Sequence, residues 1–228
     1  MHSSTFQHTA QQEYQRAATQ LKNSKDANAA LKKSYERYDN LIAVAFNEAS
    51  AKPECKAGCA FCCHYKVEAR AHEVLLAKDY IHNQFSAEKK ALLLERLTEN
   101  AAIIRALTPE QHLLTNIPCA LLDNNQCSIY PARPFRCRNF HSTDAQACKD
   151  SFNHPEDMNI VTGMIEEAAI LADAHTQGFE AAAEQTGRDN RIYDFTTALL
   201  EALTDEQPLK RYQRGKKAFP SAIEVIAD

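Results

Sequence analysis

Glycine is scarce in this chain, with only five glycines among 228 residues. Few glycines mean few tight turns, whereas Ala, Leu, Glu, Gln and Lys, which favour helices, are abundant. The sequence therefore predicts a mainly α-helical protein, an irregular helical domain with a small β-hairpin and with loops that present cysteines.

Long apolar runs are also missing. No segment reaches the length of about 20 apolar residues that a membrane crossing needs, and the N-terminus shows no basic region followed by an apolar one. We therefore expect a cytoplasmic protein with no membrane contact. The formal net charge of -4 argues against a general nucleic-acid binder, and we interpret the basic residues 210–217 as a solvated surface.

The common catalytic signatures are absent as well. The chain has no G-x-G-x-x-G, no Walker loop, no G-x-S-x-G and no H-E-x-x-H. These absences argue against nucleotide-binding proteins and against the common hydrolases.

Cysteine, by contrast, is abundant and clustered. Four of the eight cysteines fall within residues 55–63, with the spacing C-x3-C-x2-C-C. Crowded thiolates repel one another unless a cation lies among them, so this segment predicts a metal site. On a helix that turns about 100° per residue the four sulfurs share one face; because Pro53 and Gly58 are present, a loop that opens into a helix is the alternative. In a reducing compartment such cysteines are metal ligands or redox groups rather than disulfides.

The other four cysteines lie between residues 119 and 148. Residues 119–130 predict two short strands joined by a polar turn, which would bring Cys119 and Cys127 together across a hairpin. The prolines at 131 and 134 predict a bend and a short helical start that delivers Cys137. Eight thiols are thereby candidate metal ligands: Cys55, Cys59, Cys62, Cys63, Cys119, Cys127, Cys137 and Cys148.

The number and kind of metal remain open at this point. Eight thiolates suffice for two tetrahedral sites or for one polynuclear site with bridging sulfurs. Cys62 and Cys63 are adjacent and therefore poorly placed to chelate one small ion together, which favours two metals or a shared cluster. One four-ligand site with spare thiols is the alternative. All-cysteine ligation suits zinc or iron, an iron–sulfur cluster included.

Histidines and cations surround the cysteines. His64 and His141 are reserve ligands, although we favour a surface or supporting role for both. Six cations flank the thiolates and would offset their charge: Lys56, Lys66, Arg133, Arg136, Arg138 and Lys149. We expect Arg133, which precedes Pro134, to have a buried structural role.

The remaining chain predicts helices. Residues 5–50 carry an apolar stripe typical of an amphipathic helix, with an interruption near residues 23–26. We expect this helix to pack on its own domain; a coiled-coil contact with a protein partner is the alternative. Further helices are predicted at 67–85, 86–107, from Thr108 to about 116, 155–185 and 194–203. We divide the chain into an N-terminal helical region (1–50), a cysteine-cluster core (51–150) and a C-terminal helical region packed on it (151–228).

The spacing C-x3-C-x2-C also occurs in radical S-adenosylmethionine enzymes. That motif follows the first strand of an α/β barrel, and this chain lacks the strands for a barrel. The additional Cys63 departs from the motif too. We therefore reject this alternative.

Four elements together resemble a known family. They are the C-x3-C-x2-C-C segment at 55–63, Pro118-Cys119-Ala-Leu-Leu-Asp123, Cys127-Ser-Ile-Tyr130 and Arg133-Pro134-Phe-Arg-Cys137-Arg138. In this order they resemble the YkgJ-like cysteine-cluster proteins, also called the CxxCxxCC zinc- or iron-chelating family, over about residues 53–141. The resemblance implies metal chelation, with the metal unspecified.

A flagellin lysine methylase has a similar cysteine cluster, although nothing in this sequence looks like a methyl-donor pocket. We therefore expect a metal-binding protein that holds zinc or iron in one or two centres. An iron–sulfur enzyme or redox protein acting on a protein substrate, such as a methylase-like activity, is the alternative. Metal storage or delivery is a third interpretation.

Overall fold

A computed structural model describes residues 2–23 and 27–226 of the chain. This part contains ten α-helices: α1 (His2–Asn23), α2 (Ala27–Glu48), α3 (Ala71–Gln84), α4 (Ala87–Ala106), α5 (Pro109–Leu113), α6 (Phe135–Asn139), α7 (Ala145–Asn153), α8 (Glu166–Glu184), α9 (Phe195–Thr204) and α10 (Pro208–Gln213). Its strands are β1 (Glu68–Arg70), β2 (Leu122–Asp123), β3 (Gln126–Cys127), β4 (Ile192–Asp194) and β5 (Glu224–Val225). The mainly α-helical prediction is confirmed.

The N-terminal stripe packs inside the protein. Helix α1 lies along α8, and α2 packs against α8 and α3. The apolar positions Ala17, Leu21, Leu31, Tyr35 and Tyr38 are all buried, as an amphipathic helix requires. The predicted interruption falls between α1 and α2, at residues of which 24–26 lie outside the described part of the chain.

A buried polar network joins these helices. The Ser34 hydroxyl of α2 donates to the Glu13 carboxylate of α1 at 2.7 Å and lies 3.0 Å from His175 Nε2 of α8. Arg37 Nε donates to the same carboxylate at 2.7 Å. Because these buried groups hydrogen-bond one another, the helices tolerate their burial.

A small sheet lies beside the helices. Strand β4 is its centre, with β1 antiparallel on one side and β5 antiparallel on the other. The predicted helix from residue 67 is therefore wrong at its start, since residues 68–70 form β1 and α3 begins at Ala71. Three residues are too few to show an alternating apolar pattern, and the partner strand β4 lies more than 120 residues later.

Three predicted helix starts are confirmed. The Ser86 hydroxyl accepts from Lys89 N at 3.2 Å and caps α4. Thr108 and Gln111 form a reciprocal capping box at α5. The Asp194 carboxylate accepts from Thr197 N at 2.8 Å and caps α9. In each case a short polar side chain satisfies an amide that the first helical turn leaves unpaired.

The helix predicted from Pro155 is wrong over its first 11 residues, because α8 begins only at Glu166. Gly163 has φ of 64°, in the left-handed region, which no α-helix continues through. The segment instead bonds to residues 141–143: the Ser142 hydroxyl donates to Thr162 O, and Ile165 N donates to His141 Nε2 at 3.0 Å. Long-range contacts thus override the apolar pattern.

A common hydrophobic core draws on all three predicted regions. Leu31, Val74, Ile129, Phe179 and Leu199 belong to it, and Cys119 and Cys127 pack against it. The cysteine segments therefore rest on a folded helical base. No helix in the described chain combines the length and the apolarity that a membrane crossing needs.

Candidate metal centre

The first cysteine segment is a loop that ends in a short helical turn. Cys55 and Cys59 lie in the loop, where Cys59 N donates to Lys56 O at 2.9 Å and Gly58 takes φ of 89°. Cys62 and Cys63 lie in a 310 turn, Phe61–His64. Of the two arrangements that the sequence allowed, the structure has the loop that opens into a helical turn.

The second segment lies beside this turn. Ile117 N donates to His64 O at 3.0 Å, and Cys119 N donates to Cys63 O at 2.8 Å. The predicted hairpin of β2 and β3 is confirmed, but Cys127 pairs with Leu122 and Cys119 lies before β2, so the two cysteines are not opposite each other across the strands. Its turn residues Asn124 and Asn125 have φ of 50° and 58°, as a two-residue turn of type I′ requires.

Helix α6 carries Cys137, and two buried charged side chains hold it. The Glu73 carboxylate of α3 accepts from Phe135 N at 2.7 Å. Arg138 bonds both oxygens of Asp39 at 2.7 Å, donates to Pro131 O and stacks on the ring of Tyr35. Nη1 donates to both oxygens of Asp39 while Nη2 donates to Pro131 O, so the guanidinium orientation is fixed by charged and neutral acceptors together. The position of Cys137 therefore follows from α2 and α3.

The buried arginine is thus Arg138, not the predicted Arg133. The side chain of Arg138 is only 2% exposed. Arg133 is half-buried and stacks on the ring of Tyr130, 3.9 Å from its centroid. Arg133 lies near the thiols, and its charge lowers the pKa of Cys63, Cys127 and Cys137.

Cys148 lies on α7, which packs against the 310 turn. The contact includes Phe61 and His64 against Phe152. Glu54, one residue before Cys55, accepts from Ala145 N at 2.7 Å through its carboxylate. The loop of Cys55 and the helix of Cys148 are therefore joined directly.

Backbone amides donate to three of the sulfurs. Ser142 N donates to Cys55 Sγ at 3.3 Å. The amides of Leu121 and Ile129 bond the sulfurs of Cys119 and Cys127, and each lowers the pKa of its thiol. Such bonds stabilise the thiolate, which is the form that binds metal.

Burial opposes ionisation at most of these thiols. Burial raises the pKa of Cys119 to about 12, and it is the largest cause of the raised pKa of Cys55, Cys127 and Cys137. A hydrogen bond from Cys62 to Cys63 raises the pKa of Cys62 and lowers that of Cys63 to about 7. Without a cation, most of the cluster therefore holds its protons at neutral pH.

Mutual charge effects divide the thiols. The charges of Cys119, Cys127 and Cys63 raise the pKa of Cys137. Cys127 and Cys63 also raise the pKa of Cys119, and Cys63 raises the pKa of Cys127. We call these four the inner thiols. The charges of Cys59 and Cys148 raise the pKa of Cys55. The pKa of Cys62 is raised both by the inner thiols Cys63 and Cys137 and by Cys55. Cys62 thus lies between the two groups.

The side chains as placed do not form a finished site. Within residues 2–23 and 27–226, no three His, Cys, Asp or Glu side chains are arranged to hold a metal ion. All eight cysteines are free thiols rather than disulfides. The donor set still fits zinc or iron by its chemistry, since both metals take thiolate ligands supported by amide donors.

The two reserve histidines differ. His141 accepts from Ile165 N through Nε2 and therefore directs its Nδ1 proton to Asn139 O, 3.0 Å away, so both ring nitrogens are engaged. His64 Nδ1 lies 3.0 Å from Ala60 O, which leaves Nε2 as its nitrogen for a ligand. His141 therefore serves to anchor the loop before α8.

Sequence reasoning missed the groups that support the cysteines. Asp39, Glu73 and Ser142 hold the cysteine-bearing segments, yet each looks in the sequence like an ordinary surface residue. They belong to segments far from the cysteines they position, so no local pattern reveals them.

Comparison with known proteins supports metal binding in general. No curated protein and no solved structure matches the chain. Residues 54–159 match the model of the CxxCxxCC family, which is described as a "putative zinc- or iron-chelating domain". The match begins one residue before Cys55 and extends past Cys148, so it includes all eight thiols. Residues 54–159, slightly less than half of the chain, are therefore similar to the CxxCxxCC family.

Proposed function

We propose that the protein binds zinc or iron through its clustered cysteine thiolates, in one or two centres. The observation that supports this proposal is the mutual electrostatic effect of the inner thiols, which come from the 310 turn, residues 119–127 and α6. These four thiols come from three segments and rest on a folded base, and in their metal-binding thiolate form they would carry a buried negative charge that a bound cation would compensate.

The inner thiols would hold the first metal: Cys63, Cys119, Cys127 and Cys137. The remaining thiols Cys55, Cys59, Cys62 and Cys148 would hold a second metal or bridge to the first. A bound metal supplies the positive charge that buried thiolates lack. Binding therefore releases protons, and affinity rises with pH as the thiols ionise.

The metal would organise the loops that carry the cysteines. Residues 51–60 and 154–165 have little regular structure and depend on a few hydrogen bonds. Free thiols in this number suit a reducing compartment, which supports a cytoplasmic location. A protein partner at α1 would have to use its polar face, because the apolar positions face α8.

An iron–sulfur protein is the alternative, in which the same thiols bind a cluster and the protein carries electrons or modifies a protein substrate. All-cysteine ligation supports it equally well. Colour, sulfide content and reducibility distinguish it from a zinc protein.

The test is the metal and acid-labile sulfide content of anaerobically purified protein, with a visible spectrum of the same sample. Zinc at one or two equivalents, without sulfide or colour, supports a structural or chelating site. Iron with matching sulfide and charge-transfer absorption supports a cluster. Protein that holds neither metal and takes up neither on anaerobic reconstitution would contradict the proposal.

Matched variants connect the metal to the thiols. Cys137→Ser removes an inner ligand and should lower the bound metal by about one equivalent. Ser128→Ala is the control: it removes the hydrogen bond to Leu121 O within the hairpin region but no thiol. Equal metal content in the parent protein and both variants would exclude the inner thiols as ligands.

A further inference from the structure

Cys55 is the thiol of the cluster that is open to solvent, whereas the other seven cysteines are partly buried. It lies in a loop, residues 51–60, that contains no helix and no strand. Among the described residues, the hydrogen bonds that tie residues 53–58 to another segment all end at Ser142 or Ala145. The position of this exposed thiol therefore depends on one small contact.

Glu54 makes two of the three hydrogen bonds of ordinary length in this contact. Glu54 N donates to Ser142 O at 2.8 Å, and the Glu54 carboxylate accepts from Ala145 N at 2.7 Å. In the third bond, Ser142 N donates to the sulfur of Cys55 at 3.3 Å. Glu54 is thus bonded, through its backbone and through its side chain, to the segment that also bonds Cys55.

The Glu54 carboxylate lies at the N-terminus of α7, because Ala145 is the first residue of this helix. The amides of a first helical turn lack partners within the helix, and the helix dipole favours negative charge there. Asp144 satisfies a second of these amides, since its carboxylate accepts from Ala147 N at 2.8 Å. The contact therefore stabilises the start of α7 and the Cys55 loop together.

Cys148 lies on α7, one helical turn beyond Ala145. Residues three apart in a helix are neighbours on its surface, with Cβ atoms about 5 to 6 Å apart. The Glu54 contact therefore brings the Cys55 loop to within a turn of Cys148. The charge of Cys148 raises the pKa of Cys55, which agrees with this arrangement.

We propose that Glu54 is a positioning residue for the outer thiols, which we define as Cys55, Cys59, Cys62 and Cys148. Its carboxylate holds the Cys55 loop on α7, so that Cys55 and Cys148 bind the same metal ion, and this contact sets how slowly the ion leaves. Because Cys55 is the exposed ligand, its detachment opens the centre to a competing chelator. This inference rests on the proposed metal binding.

The first experiment titrates the metal-free protein with Co²⁺ under anaerobic conditions, because thiolate ligands give cobalt an intense charge-transfer absorption. Cys55→Ser and Cys148→Ser should each lower or abolish this absorption for the same equivalent of cobalt, and should leave any other equivalent unchanged. Absorption that is lost from different equivalents, or retained in full by either variant, would show that the two thiols do not share a metal ion.

The second experiment mixes the zinc-loaded protein with an excess of a chromophoric chelator and follows the transfer of zinc. Glu54→Ala should release the outer zinc about tenfold faster, because it removes a charged hydrogen bond that fixes the Cys55 loop. Glu54→Gln keeps an oxygen that accepts from Ala145 N and should restore most of the slow release, which a mere loss of surface charge would not do. Zinc on the inner thiols should leave at an unchanged rate.

Glu156→Ala is the matched control, because Glu156 is an exposed glutamate just past α7 whose ion pair is with His154, at 3.7 Å. Release from Glu54→Ala at the parent rate would refute the positioning role. Equal acceleration in Glu156→Ala, or a Glu54→Gln variant as fast as Glu54→Ala, would refute it too. These results, obtained with normal metal uptake, leave the proposed metal binding intact. A parent protein that takes up neither cobalt nor zinc would contradict both proposals.

Discussion

His72, on α3, is a buried imidazole with no use in either proposed site. It is 3% exposed, neither ring nitrogen has a hydrogen-bond partner, and the ring packs edge-on against Phe179. Burial lowers its pKa to about 3, and the nearby charge of Arg70 adds to the effect. In the unfolded chain an imidazole titrates near pH 6.5.

This difference makes His72 a source of acid sensitivity. Between pH 6.5 and pH 3 the unfolded chain binds the proton and the folded protein does not, so stability is present above pH 6.5 and falls as the pH falls. Leucine has a volume similar to that of histidine and no polar nitrogen. We predict that His72→Leu increases the free energy of unfolding at both pH values, and that the increase at pH 5 exceeds the increase at pH 7 by about 2 kcal/mol.

Denaturant titrations at pH 7 and pH 5 measure this difference. His82→Leu is the matched control, because His82 lies on the same helix and is exposed. A gain for His72→Leu that is the same at both pH values would show that His72 does not carry the acid sensitivity.

At the scale of elements, the contact of α1 with α8 depends on Gly178. A Cβ at this position would lie 2.3 Å from Ala10 O and 3.0 Å from Glu13 Cβ. The glycine therefore lets the two helices approach closely where the Glu13 carboxylate of α1 lies 3.7 Å from His175 Nε2 of α8. Sequence alone would suggest the opposite, since glycine within a helix usually weakens it.

We predict that Gly178→Ala destabilises the protein by about 2 kcal/mol or more, although the same change in an exposed helix stabilises by about 1 kcal/mol. The added methyl group must displace backbone rather than a flexible side chain. Thermal or denaturant unfolding gives the value. Ala181→Gly on the exposed side of α8 is the comparison and should cost about 1 kcal/mol. A more stable Gly178→Ala variant would mean that α1 does not pack here.

The elements that sequence predicted well carry local signals. Thr108 with Gln111, and the Asn124-Asn125 turn, specify their structure within four residues. The elements that it missed depend on distant partners: β1 exists because β4 lies beside it, and residues 155–165 are held open by residues 141–143. Apolar spacing cannot distinguish these cases from helices.

For the whole molecule, the cysteines could be found from sequence because core packing and disulfide pairing rarely place eight thiols in two clusters of a helical chain. Their grouping could not be found in this way. The division into the inner thiols and the group near Cys55 depends on how the hairpin and α7 pack on the 310 turn. Sequence also could not show that Arg138 rather than Arg133 is the buried structural arginine, because that depends on the ion pair of Arg138 with Asp39 on α2.

The same packing predicts how the protein responds to metal removal. The main hydrophobic core lies mostly in α1–α4, α8 and α9, and Cys119 and Cys127 pack only at its edge. Residues 54–65 and 117–148, by contrast, hold their shape through few regular hydrogen bonds. Metal binding stabilises the segments that carry its ligands. Chelation should therefore loosen these two segments and leave the helical base folded.

Hydrogen exchange measured by mass spectrometry, with and without complete metal removal, tests this prediction. We expect exchange about a hundredfold faster in residues 54–65 and 117–148, with α8 and α9 unchanged as internal references. Restoring the metal should restore the protection. Equal exchange in both states would remove any structural role of the metal. Loss of protection in α8 and α9 as well would show that the metal stabilises the entire fold, because the helical core would then unfold when the metal is removed.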